Sequence, residues 1–376
     1  MEEQLSIYQD QRSDKLSYIR RLVHPKSGLY LFFRMQSIRA QQRYAELSDL
    51  TNTPSVFLHG NPHIDNYART NTGCGMIDFD RSRIGPYSWD LVRLLSSLQL
   101  RWKDHKASEL DERIIQSVHD GYVSRFNAPD LGYETLASLA AVKPEKWQLS
   151  TNAYLEANKK WAKKMRENPI DPKDLRLMQL FSGYTESRSK QHHLEIFDIV
   201  EAGICSGSFG KPRFLVVLSS RSHQNDKIIL DFKEVYQDVD SKFFYNPYRN
   251  HGHRMVEASH LYAPGVEQRI GYAQLAGQQY WVRQVPPFQV KLKGNLPTAL
   301  CEEFGYCVGA QLGIGHRRSL LFTKPEKLMN HFKQEWPRVI ELSHKMVKEL
   351  RRDYKIYCNQ VKNQVMDLVE FFEDED

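Results

Sequence analysis

Several common signatures are missing from this 376-residue chain. Its five cysteines (Cys74, Cys205, Cys301, Cys307 and Cys358) are odd in number, and no two have Cys-x-x-Cys spacing. A disulfide framework and a zinc ribbon are disfavoured, and a reducing compartment is the default. No apolar run reaches the length of a membrane span. The opening Met-Glu-Glu-Gln-Leu-Ser is acidic and has no apolar h-region, so no secretory signal is expected. Neither an internal repeat nor a low-complexity linker is visible. The formal net charge of +6 is too mild to argue for nucleic acid, and a surface favourable to phosphorylated ligands is the weaker, sufficient reading. A cytoplasmic protein is expected. Export as a bacterial effector is compatible with the same features, and the acidic tail from Glu370 to Asp376 does not distinguish the two.

What is present is enough for sizeable cores: 41% hydrophobic and 26% charged residues, over a length that suggests two domains or lobes. Residues 4–50 read as two helices broken at His24-Pro25-Lys26-Ser27-Gly28, the second near Tyr30 to Ser48. Strand-loop-strand follows at 55–80. Leu91, Leu94, Leu95 and Leu98 recur at helical spacing, which predicts a buried helix from Trp89 to Trp102. More helices are expected over 107–190. From residue 196 the pattern turns to short β-rich runs: Ile196 to Val200, Phe214 to Leu218, Lys227 to Phe232 and Tyr280 to Val285. After Pro297 helices return.

Two constellations carry chemistry. The first is His59-Gly60-Asn61-Pro62-His63-Ile64-Asp65-Asn66, followed ten residues later by Ile77-Asp78-Phe79-Asp80. Its polar side chains sit at the ends of short buried strands, where an unpaired polar group is costly, so a site explains them better than a core. The plain alternative for Asn66 and Asp78 is an Asx turn and a hairpin cap. His59, His63 and Asp65 also resemble a His-x3-His-x-Asp zinc string, but matching further histidines are not evident. Asp90 is expected to cap its helix and brace the loop. Arg34, Arg39 and Arg43 form either a basic face for an acidic substrate or a solvated helix face.

The second constellation is the glycine turn Gly207-Ser208-Phe209-Gly210 between two predicted strands. Its backbone N–H groups are able to approach phosphate oxygens. No Gly-x4-Gly-Lys-Ser/Thr pattern and no βαβ spacing accompany it. Lys233 ends a strand one hairpin later, and Glu257 lies on a predicted helix beyond that, with Glu234 as a competing partner for Lys233.

Together these residues resemble a bacterial family known as domain of unknown function 2252, a permuted relative of the protein kinase and aminoglycoside phosphotransferase group. The similarity is carried by Phe32-Phe33-Arg34, Gly60-Asn61-Pro62-His63-Ile64-Asp65-Asn66, Ile77-Asp78-Phe79-Asp80, Gly85-Pro86, Trp89-Asp90-Leu91 and Arg93-Leu94. Later segments, Gly207-Ser208-Phe209-Gly210, Lys233-Glu234 and Arg283-Gln284, are also similar to it. Asn61 stands where the catalytic Asp belongs, and Cys205 where a Gly is usual.

The resemblance implies an α+β, protein-kinase-like two-lobed fold with circularly permuted lobe order, because the catalytic-type loop precedes the glycine turn. Residues 1–194 and 295–376 would make the helical lobe, and 195–294 a small β-rich nucleotide-binding lobe. ATP and Mg²⁺ are the implied cofactors. Gly207, Ser208, Gly210, Lys233 and Glu257 would bind nucleotide, with Lys233 paired to Glu257. Asn66, Asp78 and Asp80 would hold metal, and Asn61, Asp65 and Asp78 would serve catalysis. The implied reaction is phosphoryl transfer to the hydroxyl of an unknown small molecule or protein. A nucleotide-binding pseudokinase is the alternative, because Asn orients a hydroxyl but does not take its proton near pH 7. A metal-dependent hydrolase is the third reading.

Overall fold

Val56, Phe57 and Leu58 form the buried part of β1 (Ser55–Leu58) in a computed structural model of the chain. The structure describes residues 15–104, 106–141, 149–188, 197–206, 211–221, 226–320 and 323–373. Three helices precede β1: α1 (Lys15–Leu22), α2 (Gly28–Met35) and α3 (Ser37–Leu47). The single helix expected from Tyr30 to Ser48 is broken at Gln36, whose N–H donates to both Phe32 O and Phe33 O. After β1 come β2 (Tyr67–Thr70), β3 (Cys74–Met76) and β4 (Arg83–Pro86). β1 pairs with β4. β2 lies between β3 and a late strand, β11 (Gln289–Val290).

Every residue of α4 (Ser88–Arg101) is buried. Its leucines join the main core, but Asp90, Arg93, Ser97 and Arg101 recur at i, i+3, i+7 and i+11 and form one polar stripe. α5 (Glu112–Asn127) follows, then α6 (Ala137–Ala140), α7 (Thr151–Glu156), α8 (Lys160–Glu167) and α9 (Leu175–Arg188).

The β-rich region is a six-stranded antiparallel sheet: β5 (Pro169–Ile170), β6 (Phe197–Ser206), β7 (Pro212–Ser220), β8 (Lys227–Glu234), β9 (Gly271–Leu275) and β10 (Gln278–Gln284), in the order β5-β6-β7-β8-β10-β9. Alternation along the strands separates two faces. Phe214, Val216, Leu218, Leu230 and Phe232 pack against Leu177, Leu180 and Tyr184 of α9. Leu215, Val217 and Ile229 pack against Tyr154, Leu155, Ala162 and Met165 of α7 and α8. Residues 149–188 therefore share their cores with the sheet, ahead of the division expected at 194. Strand β9 carries no apolar run that announces it. It is set by the turn Ala276-Gly277, where both residues have positive φ (48° and 81°), the geometry of a tight hairpin.

Between β8 and β9 lies α10 (His251–Tyr262), and the chain ends in α11 (Thr298–Arg318) and α12 (Pro325–Glu373). Glycines let α11 approach α5 closely: a Cβ on Gly309 would stand 2.5 Å from Val118 O. The sheet is tied to the main core at the segment after α10, where Thr70 Oγ1 and Thr72 Oγ1 both donate to Val266 O (3.0 and 3.2 Å). The architecture is mixed α+β with antiparallel sheets. Among the described residues, no helix is long and apolar enough to cross a membrane.

Candidate active site

The loop 59–66 is held along its length by the polar stripe of α4. Asp90 accepts from the backbone N–H of His59 (2.8 Å) and of Gly60 (2.9 Å). Arg93 Nε donates to Asn61 Oδ1 (2.8 Å), Ser97 Oγ accepts from Ile64 N (3.1 Å), and Arg101 Nη1 pairs with Asp65 Oδ1 (2.8 Å). Trp89 Nε1 adds a bond to Gly60 O (2.8 Å). Gly60 is required by its backbone: φ is +84°, and a Cβ would stand 1.7 Å from Arg81 O. Asp90 braces the loop as expected, and its other neighbour is His316 of α11 (Nε2–Oδ2 3.3 Å), whose Nδ1 lies 3.0 Å from Tyr122 Oη.

Each polar residue of the loop is engaged separately. Asn61 is 8% exposed and its carbonyl oxygen is taken by Arg93, which also donates to Phe33 O and lies over the Phe33 ring. Asp65 is paired with Arg34 (3.0 Å) as well as Arg101. His63 lies edge-on to Tyr30 and Phe33. Burial pushes its imidazole well below the ordinary value, and Arg34 and Arg93 add to the shift, so it is neutral. His59 is also lowered by burial, against the pull of Asp90. The zinc reading is not supported: among the described residues no three His, Cys, Asp or Glu side chains gather for a metal, and Asp65 is paired with two arginines.

Asp78 and Asp80 follow β3 and meet Lys233 of β8. Lys233 Nζ is 3.3 Å from Asp78 Oδ1 and 2.6 Å from Asp80 Oδ2. Asp78 has φ +67°, a left-handed backbone that only the fixed surroundings sustain. Burial opposes ionisation of Asp78, but the charges of Lys233 and Lys291 outweigh it and hold the carboxyl below the usual range. For Asp80 burial prevails, with Asp78 adding to it and Lys233 opposing, so its pKa is raised. Lys233 is raised in turn, because the two carboxylates outweigh its burial. Asn66 Oδ1 and Asp80 Oδ1 are buried acceptors without a hydrogen-bond partner among the described residues.

The expected pair of Lys233 with Glu257 does not form. Glu257 is half-exposed and faces His253 Nε2 (3.2 Å) one helical turn back, while Glu234 faces Lys211. The interior of α10 presents Arg254 instead. It is fully buried and donates to Asp80 O (2.9 Å) and to Ser82 O. Gly207, Ser208 and Gly210 lie outside the described residues. The flanking strands β6 and β7 end and begin at Ser206 and Pro212, and Arg213 lies opposite Lys233 in register. Beside Lys233 on the same sheet face is Asp231, fully buried between Arg213 (2.9 Å) and Arg283 (3.6 Å). Arg283 in turn pairs with Glu267 (2.6 Å). Lys291 Nζ donates to Asp65 O (2.7 Å). Arg254, Asp231, Glu267 and Lys291 have no local motif to announce them; the spacing of Arg93 and Arg101 from Asp90 did.

This geometry joins a cation-bearing sheet to a carboxylate- and amide-bearing loop. Residues 5–125, about a third of the chain, match the model of a phosphotransferase enzyme family. The chain itself belongs to the family described as an uncharacterized protein conserved in bacteria, DUF2252, whose model matches residues 134–360. The first constellation falls in one match and Lys233 in the other. No curated protein and no solved structure matches the chain.

Proposed function

We propose that the chain is an ATP- and Mg²⁺-dependent phosphotransferase that phosphorylates a hydroxyl group, on a two-lobed kinase-like fold with permuted lobe order. The observation that carries this is the meeting of Lys233 with Asp78 and Asp80, side chains roughly 150 residues apart that phosphate chemistry brings together. The sheet lobe then runs from about residue 149 to 290, and the helical lobe takes the rest. Asn66, Asp78 and Asp80 fit Mg²⁺, which takes a few protein oxygens and leaves the remainder of its shell to phosphate and water. The buried, unpartnered Asn66 Oδ1 and Asp80 Oδ1 are oxygens of the kind such an ion completes. When bound, the ion would neutralise charge on the transferring phosphoryl group.

Lys233 exchanges its carboxylate partners for nucleotide phosphate in this reading, with Gly207, Ser208 and Gly210 kept as phosphate-binding residues on their sequence pattern alone. Glu257 has no part in holding Lys233, and Arg254 anchors the Asp80 segment instead. Asn61 orients the acceptor hydroxyl. That hydroxyl oxygen bonds to the γ-phosphorus, the bond to the ADP oxygen breaks with its electron pair on ADP, and the proton leaves to water. Asp65 is unsuited to act as base, because Arg34 and Arg101 occupy its carboxylate.

One observation favours the pseudokinase reading as a second. Neither Asn61, locked on Arg93, nor Asp65 offers an unengaged carboxylate next to the acceptor. Calorimetry with ATP, with and without Mg²⁺, followed by transfer of labelled γ-phosphate to hydroxyl compounds, decides the matter. Mg²⁺-dependent binding with transfer supports the enzyme. Binding without turnover assigns the pseudokinase, and absence of ATP binding ends both.

A further inference from the structure

Asp65 attracts more positive charge than one carboxylate needs. Arg34 Nη1 lies 3.0 Å from Oδ2, Arg101 Nη1 lies 2.8 Å from Oδ1, and Lys291 Nζ donates to the Asp65 carbonyl at 2.7 Å. The three cations come from α2, the end of α4 and the segment after β11, so the fold itself gathers them. Against them stand the carboxylate of Asp65 and, facing Lys291, that of Asp78, so the cations outnumber the carboxylates. A lone brace for Asp65 would need one arginine. Taking further cations out of water without a counter-charge is costly.

An unused donor points the same way. Arg34 Nε is buried without a hydrogen-bond partner among the described residues. Lys291 bonds to the carbonyl of Asp65, the residue before Asn66, and the carbonyl of Asn66 accepts from Ile77 N beside Asp78 (2.8 Å). The cluster therefore borders the place where Asn61, Asn66 and Asp78 come together. The cluster is reached by solvent on one flank: the Arg101 side chain is 10% exposed and that of Arg34 35%.

A phosphomonoester presents three terminal oxygens to the three cations, and arginine forks bind it through paired hydrogen bonds. A carboxylate presents only two. We propose that Arg34, Arg101 and Lys291 form an acceptor subsite for a phosphomonoester, so that the compound phosphorylated is a small hydroxyl compound already carrying a phosphate group. This inference rests on the phosphotransferase reading above. The existing phosphate is held at the cluster, and the free hydroxyl of the same molecule is presented to Asn61 and the γ-phosphate.

The test uses the full chain saturated with Mg²⁺ and a non-hydrolysable ATP analogue, titrated with inorganic phosphate by calorimetry. Phosphate is expected to bind alongside the nucleotide. Arg34→Gln and Lys291→Gln should each weaken it about 10-fold or more, the equivalent of one charge-assisted hydrogen bond. Arg34→Lys, which keeps the charge without the fork, should fall between. Transfer assays should favour the phosphomonoester form over the neutral form in matched pairs such as glycerol 3-phosphate and glycerol. Phosphate that competes with the nucleotide, no binding at all, or equal affinity in wild type and both Gln variants would overturn the subsite. If the nucleotide does not bind but phosphate binds and is lost in Arg34→Gln, the subsite stands and the phosphotransferase reading falls.

Discussion

Replacing Lys233 by alanine leaves Asp78 and Asp80 side by side without the ammonium group that lies 3.3 and 2.6 Å from them. The side chains of Lys233 and Asp80 are 16% and 15% exposed and that of Asp78 is 39% exposed. The loss therefore falls between that of a surface pair and a buried one, about 2–3 kcal/mol near pH 7. Asp80 already has a raised pKa, and without Lys233 it rises further. A carboxyl whose folded pKa exceeds its unfolded value weakens the fold while ionised, and that penalty disappears as pH falls through the folded pKa. Asp78 is the opposite case. Its depressed pKa contributes stability above the unfolded value, and the variant loses that contribution at neutral pH. The Asp80 effect makes the deficit of Lys233→Ala largest near pH 7 to 8 and smaller toward pH 5, whereas the Asp78 contribution is fully present in the wild type across that range. Urea unfolding of both proteins in EDTA across that range measures it. Millimolar Mg²⁺ should then restore the variant more than the wild type. ATP affinity should drop by about 10- to 150-fold, the equivalent of 1.5–3 kcal/mol. A deficit that is flat with pH, or within about 0.5 kcal/mol of zero at pH 7, would mean that Lys233 does not pair with these carboxylates in solution.

Three further substitutions test other parts of the site. Asn61→Asp should raise phosphotransfer by about 10²-fold, the low end of general-base assistance, because Arg93 at 2.8 Å lowers the basicity of the new carboxylate; an unchanged or slower initial rate refutes this. Asp90→Asn places an amide N–H group against one of the two backbone donors and should cost at least about 2 kcal/mol in urea unfolding, with a loss near zero contradicting the brace. Glu257→Gln should leave both ATP affinity and stability within about 0.5 kcal/mol of wild type, since its ion-pair partner among the described residues is the part-exposed His253; a large drop in calorimetric affinity would return it to the Lys233 pair.

Much of this was legible in residue spacing. The loop 59–66, the pair Asp78 and Asp80, the buried helix from Trp89 and three long strands of the sheet stand where local pattern puts them. The pattern of α4 held more than its leucines: Asp90, Arg93, Ser97 and Arg101 form a second stripe that matches the loop residue by residue, and polar groups on a helix buried all round announce a buried partner. Long-range pairings were not legible. Whether Lys233 faces Glu257 or Asp80 depends on how α10 turns over the sheet, and one rotation of that helix puts Arg254 inward and Glu257 outward. That residues 149–188 pack with the sheet was hidden for a similar reason. α7, α8 and α9 have ordinary amphipathic spacing, which says that each has a buried face but not which core receives it.

Thr70 and Thr72 close on one carbonyl, that of Val266. The next residue, Glu267, pairs with Arg283, which reaches Asp231 beside Lys233. β11 on β2, the bridge of Ile84 with Tyr245, and Arg254 on the carbonyls of Asp80 and Ser82 add further ties. The segment that carries Lys233 is thus stitched at several points to the one that carries Asp78 and Asp80, and losing one stitch, such as the Lys233 ammonium, changes the site without parting the two.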